Sequence, residues 1–182
     1  MMASMELYAY AQSLADSRRE RPLDDIVSTL INAELEGEKL SDIEFNVFVL
    51  LLSVAGNETT RNLISGGMYT LLTHPEQMAI AVESVANGVV DAGVVEECLR
   101  WVTPINNMNR TTTADVEVRG VTIPSGSQVL MSYVSANRDE EVFDEPFRFD
   151  VTRESNQHIA FGFGPHLCLG AQLARLELRV IF

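Results

Sequence analysis

Residues 41–73 read as a single helix of about 30 residues, long for a soluble domain, and a helix that crosses a whole domain constrains every element packed on it. Its start is marked by Ser41-Asp42-Ile43-Glu44, a serine cap with a glutamate three residues on. Its end is marked by Thr73-His74-Pro75. The middle is unusual. AGNETT, residues 55–60, sets a glycine, an asparagine and two threonines in a row of poor helix formers, costing about 2 kcal/mol relative to alanines. The expectation is a helix unwound or bulged at that point, a feature that clusters at functional sites. The small pair Ala55-Gly56 leaves room for a flat group, and Glu58 and Thr59 put a carboxylate beside a hydroxyl, suited to passing protons. The competing reading is a helix–helix contact whose threonines bond back to the preceding turn.

The remaining chain divides around this helix. Residues 5–19 and 24–35 show apolar positions at three- and four-residue spacing, separated by Pro22 and restarted at Asp24-Asp25. EGEK, residues 36–39, reads as a loop. Further helices are expected over 75–85 and 89–102. After Pro104 the pattern changes: VEVRGVTIPSGSQVLMSY alternates apolar and polar residues and is broken by Gly120, Pro124 and Gly126, so 105–133 reads as a small β region. Residues 137–157 are charged and aperiodic, an ordered but irregular meander. A loop over 158–168 leads into a last helix over 169–182, with Leu169, Leu173, Leu176 and Val180 on one face. The fold class is mainly α with a small β portion, an α+β chain of one domain over 1–182.

Composition narrows the function. A chain of 182 residues that is 46% hydrophobic can build one real core. A net charge of -13 argues against nucleic acid or an anionic membrane as a partner. The longest apolar run, residues 47–56, falls far short of the roughly 20 residues a membrane span needs, and the first residues lack the apolar core of a signal peptide. The expected location is the cytoplasm, with Cys98 and Cys168 as free thiols.

Two further motifs carry chemistry. In EECLR, residues 96–100, Glu97 and Arg100 lie three apart on a helix and can pair; on a surface such a pair is worth only a few tenths of a kcal/mol. Cys98 between them reads as a small core residue. In FGFGPHLCLG, residues 161–170, Gly162 and Gly164 permit a tight loop and Pro165 stiffens it. Cys168 stands just before the helix expected from Leu169, where the dipole and the unpaired N–H groups favour a thiolate. Zinc fits poorly, with only His158 and His166 in range. A nucleophile would take His166 as base. An axial thiolate to haem iron needs one cysteine, a close-approaching loop and N–H donors to the sulfur, and all three are present.

Taken together, these residues make the chain resemble the C-terminal, haem-binding half of a bacterial cytochrome P450. FGFGPHLCLG fits the family's haem loop, F-x-x-G-x-x-x-C-x-G, at Phe161, Gly164, Cys168 and Gly170; EECLR supplies its E-x-x-R, and AGNETT its A-G-x-[DE]-T-T, in the family's order. The resemblance covers essentially the whole chain. It implies haem b with Cys168 as the axial thiolate, whose electron donation favours O–O cleavage. It implies Glu58 and Thr59 as the acid and alcohol that deliver protons, and Ala55 and Gly56 as the groove over the haem. Glu97 and Arg100 would lock the core, and PFRF, which resembles the family's P-E-R-F with Phe147 in place of an acid, would add Arg148 as third member of that network. Arg110 and His166 would hold the haem propionates. Val54, Pro104, Ile105 and Asn106 would line the substrate pocket.

The implied reaction is monooxygenation: one oxygen atom of O2 enters a small apolar organic substrate, with electrons from a ferredoxin and ferredoxin reductase. AGNETTRN and NMNRTTT look most like actinobacterial enzymes that oxidise steroid or fatty-acyl chains. Complete members are much longer, so the expectation is a fragment lacking the N-terminal sheet, the substrate lid and the final strands. A second reading follows, a truncated, non-catalytic polypeptide that does not hold haem on its own, with exposed apolar faces. A peroxide-using or isomerising haem protein fits less well with the Glu58-Thr59 pair.

Overall fold

The computed structural model describes residues 2–86 and 88–182. Its contacts fall into two compact units, Met1–Glu58 and Thr59–Phe182. The first holds helices α1 (Met2–Glu20) and α2 (Ile26–Asn32), a minimal hairpin of β1 (Glu34–Leu35) and β2 (Glu38–Lys39), and the first half of α3 (Asp42–Thr73). Residues 36–39 are therefore more than the loop expected from EGEK: Glu36 and Gly37 turn the chain at φ 54° and 87°, and Glu34 pairs with Lys39. Helix α2 is shorter than its apolar pattern because Asp25 caps it, accepting from Ser28 N–H at 2.8 Å. The Ser28 N–H and Arg18 together hold the Asp25 carboxyl down at about 2. Ala11, Ala15 and Phe45 form the buried centre of this unit, with Val27, Leu30, Ile31 and Val49 against it.

The capping box at the start of α3 forms as its sequence implies. Ser41 N–H and Oγ both donate to Glu44 Oε2 at 2.8 Å, and Glu44 N–H donates back to Ser41 Oγ at 3.3 Å. From Asp42 the helix runs without interruption to Thr73. The expected unwinding at residues 55–60 does not occur: that stretch is regular α-helix. Once flanking turns are formed, each added residue gains a hydrogen bond without a new nucleation cost, and that cooperativity outweighs local propensity.

The second unit continues α3 and adds α4 (Pro75–Glu83), α5 (Ala92–Val102), strands β3 (Asn107–Thr111), β4 (Val116–Val118), β5 (Val121–Ile123) and β6 (Gln128–Ser132), the short α6 (Tyr133–Ala136), a 3-10 turn at Gly164–His166, and α7 (Ala171–Ile181). Strands β3 and β6 pair antiparallel from Asn107↔Ser132 to Thr111↔Gln128, and β4 and β5 form a separate hairpin. Helix α5 starts at Ala92 rather than near 89, because Val89 is spent in a bridge with Ala86 and Asp91 caps the helix by accepting from Gly93 N–H at 2.7 Å. Helix α7 starts at Ala171 rather than 169, with Gly170 as its cap residue.

The core of this unit is built on α5. Val94, Val95, Cys98 and Leu99 meet Leu63 and Leu71 of α3, Ala81 of α4, Leu178 of α7, and Phe149, Val151 and Ala160 of the irregular segment. Gly66 and Gly67 let these elements close on α3. A β-carbon at Gly66 would stand 2.9 Å from Val102 Cγ1, and one at Gly67 would stand 2.6 Å from Phe182 Cζ. Beyond α6 the chain has no regular element until Gly164, yet it is fixed by side-chain bonds from α5.

Candidate active site

Three groups of residues from the second unit build the region around the cysteine loop. The first is the pair Glu97–Arg100. Both side chains are fully buried, so this is no surface pair of marginal worth. Arg100 Nε and Nη2 donate to Glu97 Oε2 and Oε1 at 2.8 and 2.7 Å, a bidentate fork. Its remaining N–H groups reach the carbonyls of Asn137, Pro146 and Arg148 at 2.9–3.0 Å, so all five donors are used. Glu97 in turn accepts from Asp150 N–H at 2.8 Å and from Asn156 Nδ2 at 2.9 Å. A helix that buries a charge pair this completely uses it to organise aperiodic chain that has no ladder of its own.

Arg148 is not the third cation of that network. Its side chain is 57% exposed and pairs with Glu145 at 2.9 Å and Asp150 at 3.9 Å; what it gives to Arg100 is its main-chain carbonyl. The side chain that reaches Glu97 is Arg153, with Nε at 3.3 Å from Oε2, and it also donates to the carbonyls of Asp144, Glu145 and Arg148. The resemblance to P-E-R-F selects an arginine by its neighbours in sequence, whereas the contact is decided by where the chain turns after Asp150. Asn137 went unnoticed for the same reason. It is fully buried, donates to Thr103 Oγ1 at 2.9 Å and accepts from Ile159 N–H at 2.8 Å, tying the end of α5 to the approach of the loop.

The second group is the loop itself. Gly162 and Gly164 both adopt left-handed φ, 77° and 65°, which side-chain-bearing residues resist. At Gly162 a β-carbon would also press on His166 O at 3.2 Å. Cys168 N–H donates to Phe161 O at 2.9 Å, closing the loop, and Cys168 O accepts from Ala171 N–H at 3.3 Å as α7 begins. The Cys168 thiol is exposed. Near it in sequence, Phe163, Leu167 and Leu169 are 85%, 60% and 75% exposed. An exposed thiol on a loop whose neighbouring residues in sequence are exposed and apolar suits a flat hydrophobic group laid against the loop. His166 and Gly170 are exposed as well, and Phe161 is half-buried. By contrast Cys98 is fully buried, and burial together with the Glu97 charge pushes its thiol up to about 12, consistent with a core residue.

The third group was invisible to motif reading. Glu96, beside Glu97 on α5, accepts from Arg175 Nε and Nη2 of α7 at 2.7 and 3.0 Å and lies 3.0 Å from His158 Nε2. Burial pushes the Glu96 carboxyl up, but the bonds from His158 and Arg175 outweigh it and hold the group down at about 2. Arg175 is raised, mainly by its bond to Glu96. Its guanidinium covers the Phe161 ring at 4.7 Å. The doubled glutamate of EECLR was the signal available.

The other expected residues lie on α3, on β3 and in the stretch between α5 and β3. Arg110, on β3, is exposed and donates to Asn109 O at 2.9 Å. Pro104 and Ile105 are half-buried and Asn106 is exposed, its carbonyl accepting from Tyr133 N–H at 2.9 Å. In the first unit Val54, Ala55, Gly56 and Glu58 are exposed, while Thr59, the first residue of the second, is half-buried. A β-carbon at Gly56 would meet nothing within 4 Å, so that surface of α3 is open.

Comparison with known proteins bears on the family and the fold. A steroid C26-monooxygenase of Rhodococcus jostii is 49% identical over 181 residues, covering 99% of this chain and 37% of that protein. A methyl-branched lipid omega-hydroxylase of Mycobacterium bovis is 46% identical over 183 residues, covering 100% and 42%. A solved cytochrome P450 from Chondromyces apiculatus superposes with a TM-score of 0.90 at 43% identity, over 99% of this chain and 46% of that one. The chain thus spans about two fifths of the length of the curated relatives it matches. The cytochrome P450 profile matches residues 4–182, and the chain belongs to the cytochrome P450 family.

Proposed function

We propose that this chain supplies the haem-thiolate half of a monooxygenase, in which one atom of O2 enters an apolar substrate and the other leaves as water. The balance is R–H + O2 + two electrons + two protons giving R–OH + H2O. The observation that carries the reading is Cys168: an exposed thiol on a glycine-shaped loop, with exposed apolar residues beside it in sequence, in a family of haem proteins. Haem, when bound, supplies the iron at which dioxygen is reduced.

The chain's own residues then divide the remaining work. Cys168 holds the iron as thiolate. Phe161, Gly164 and Gly170 shape the loop so that a planar ring can approach. Arg110 and His166, both exposed, have the charge and N–H donors to bind two propionates. Ala55 and Gly56 are small, exposed residues of α3, the size that a flat ring lying on a helix would need. Pro104, Ile105 and Asn106 would serve the substrate side, and Val54 of α3 has an exposed apolar side chain suited to an apolar substrate. Thr59 hydroxyl holds a proton for the reacting oxygen, and Glu58 resupplies it from solvent.

The substrate class proposed is a steroid or fatty-acyl chain; the names of the two curated relatives give a steroid for one and a methyl-branched lipid for the other. Electrons would come from a ferredoxin and its reductase. The proposed location is the bacterial cytoplasm; among the described residues no helix is long and apolar enough to cross a membrane.

The test is spectroscopic. The chain is expressed, supplied with haem, reduced and exposed to carbon monoxide. A red-shifted Soret band that vanishes in Cys168→Ala supports the reading. A soluble sample with no such band sinks haem binding by this chain. One observation favours that second outcome. Leu173, Leu176 and Val180 of α7 and Leu169 just before it are each 59–75% exposed, an apolar surface left uncovered.

A further inference from the structure

The cysteine loop is tied at both ends to one carboxylate. It is entered at His158 and it runs out into α7, whose second turn carries Arg175. Both side chains converge on Glu96, His158 Nε2 at 3.0 Å from Oε2 and Arg175 at 2.7 and 3.0 Å from the two oxygens. The histidine's tautomer follows from its other nitrogen. Nδ1 accepts from Ala160 N–H at 3.2 Å, so the ring proton sits on Nε2 and is donated to Glu96. The His158 side chain is 2% exposed, Glu96 24% and Arg175 32%, so water screens these bonds only in part. Between the two anchors lies Phe161, whose ring is covered by the Arg175 guanidinium and meets the His158 ring at 6.3 Å. The main-chain carbonyl of the same Phe161 accepts the Cys168 N–H.

Glu96 and Glu97 divide the labour by direction. Neighbours on an α-helix point about 100° apart. Glu97 faces the segment around Asp150 and Asn156, and Glu96 faces the loop and α7. We propose that Glu96 is a positioning residue for Cys168: by binding both ends of the loop it holds the thiol in place before any cofactor arrives. The inference rests on the reading of Cys168 as the haem ligand, but it concerns the order of the haem-free chain.

The experiment is amide hydrogen exchange on the haem-free chain, wild type against Glu96→Ala and Glu96→Gln. The amides of Gly162 and Cys168, bonded to Ile159 O and Phe161 O, report the loop. The amides of Asp150 and Val151, bonded to Glu97 and Gln77, report the neighbouring core. In Glu96→Ala the loop amides are expected to exchange about tenfold faster or more while the core amides keep their protection. Glu96→Gln, which keeps one acceptor, falls between. Arg175→Gln removes the clamp from the α7 side and, if Glu96→Ala fails to fold, gives the same readout. Unchanged loop protection, or loop and core loosening together, overturns the proposal. The outcome is separable from the haem assay: an absent carbon monoxide band with a clamped loop refutes haem binding alone, and a thiolate band in a chain whose loop does not respond to Glu96 refutes the clamp alone.

Discussion

At the scale of residues, the buried pair Glu97–Arg100 decides more than any other contact. Removing one partner strands a charge among carbonyls and apolar side chains, so Glu97→Ala is expected to cost about 3–5 kcal/mol, read from urea denaturation. Arg100→Lys is expected to be destabilising too, since a lysine has three donors where the guanidinium uses five. The two arginines downstream behave oppositely. Arg148→Ala changes stability by no more than about 0.5 kcal/mol because its side chain lies in solvent. Arg153→Ala costs about 1–3 kcal/mol by leaving Glu97 and three carbonyls short of a donor. Equal effects at the two positions would contradict this assignment. Spacing on one helix is enough to pair Glu97 with Arg100. Nothing local says that Arg153, across an aperiodic segment, completes the site, or that Asn137 is buried.

At the scale of elements, fit and charge set the predictions. Gly66→Val forces methyl groups onto Val102, already 2.9 Å from a first β-carbon, and is expected to lower stability by about 1–3 kcal/mol in the same denaturation assay; an unchanged midpoint would show that α5 can retreat. The attachment of the loop to α5 and α7 is acid-sensitive in a stated direction. Glu96 is held at about 2 against an ordinary 4.5, so its contribution is fully present above about pH 4.5 and is lost as pH falls toward 2. Loop amides are expected to lose protection in that window, and Glu96→Ala to remove that part of the pH dependence. The helices themselves were readable from periodicity, and the capping box fixed the start of α3 to one residue. Two things were not readable. The poor helix formers at 55–60 do not break α3, because cooperativity over a long helix overrides local preference. Of the stripe Leu169, Leu173, Leu176, Val180, the last three lie on α7 and Leu169 precedes it; all four are exposed, and α7 packs instead through Ala171 and Leu178. A period identifies a face and not what covers it.

At the scale of the whole chain, family membership and cofactor chemistry separate. Membership rests on the match across residues 4–182. Cofactor chemistry rests on one sulfur. Thiol labelling gives a first check: in the native chain Cys168 is expected to react and Cys98, buried and pushed up to about 12, to stay silent until unfolding. A native chain that labels at both would show that the core around α5 is not closed. The central claim, that Cys168 is the iron ligand, is tested most directly by the reduced, carbon monoxide-treated spectrum of the haem-supplied chain beside its Cys168→Ala variant. The expected result is a red-shifted thiolate Soret band in the first and none in the second. A soluble, folded chain without that band, or a band that survives the loss of Cys168, would contradict it.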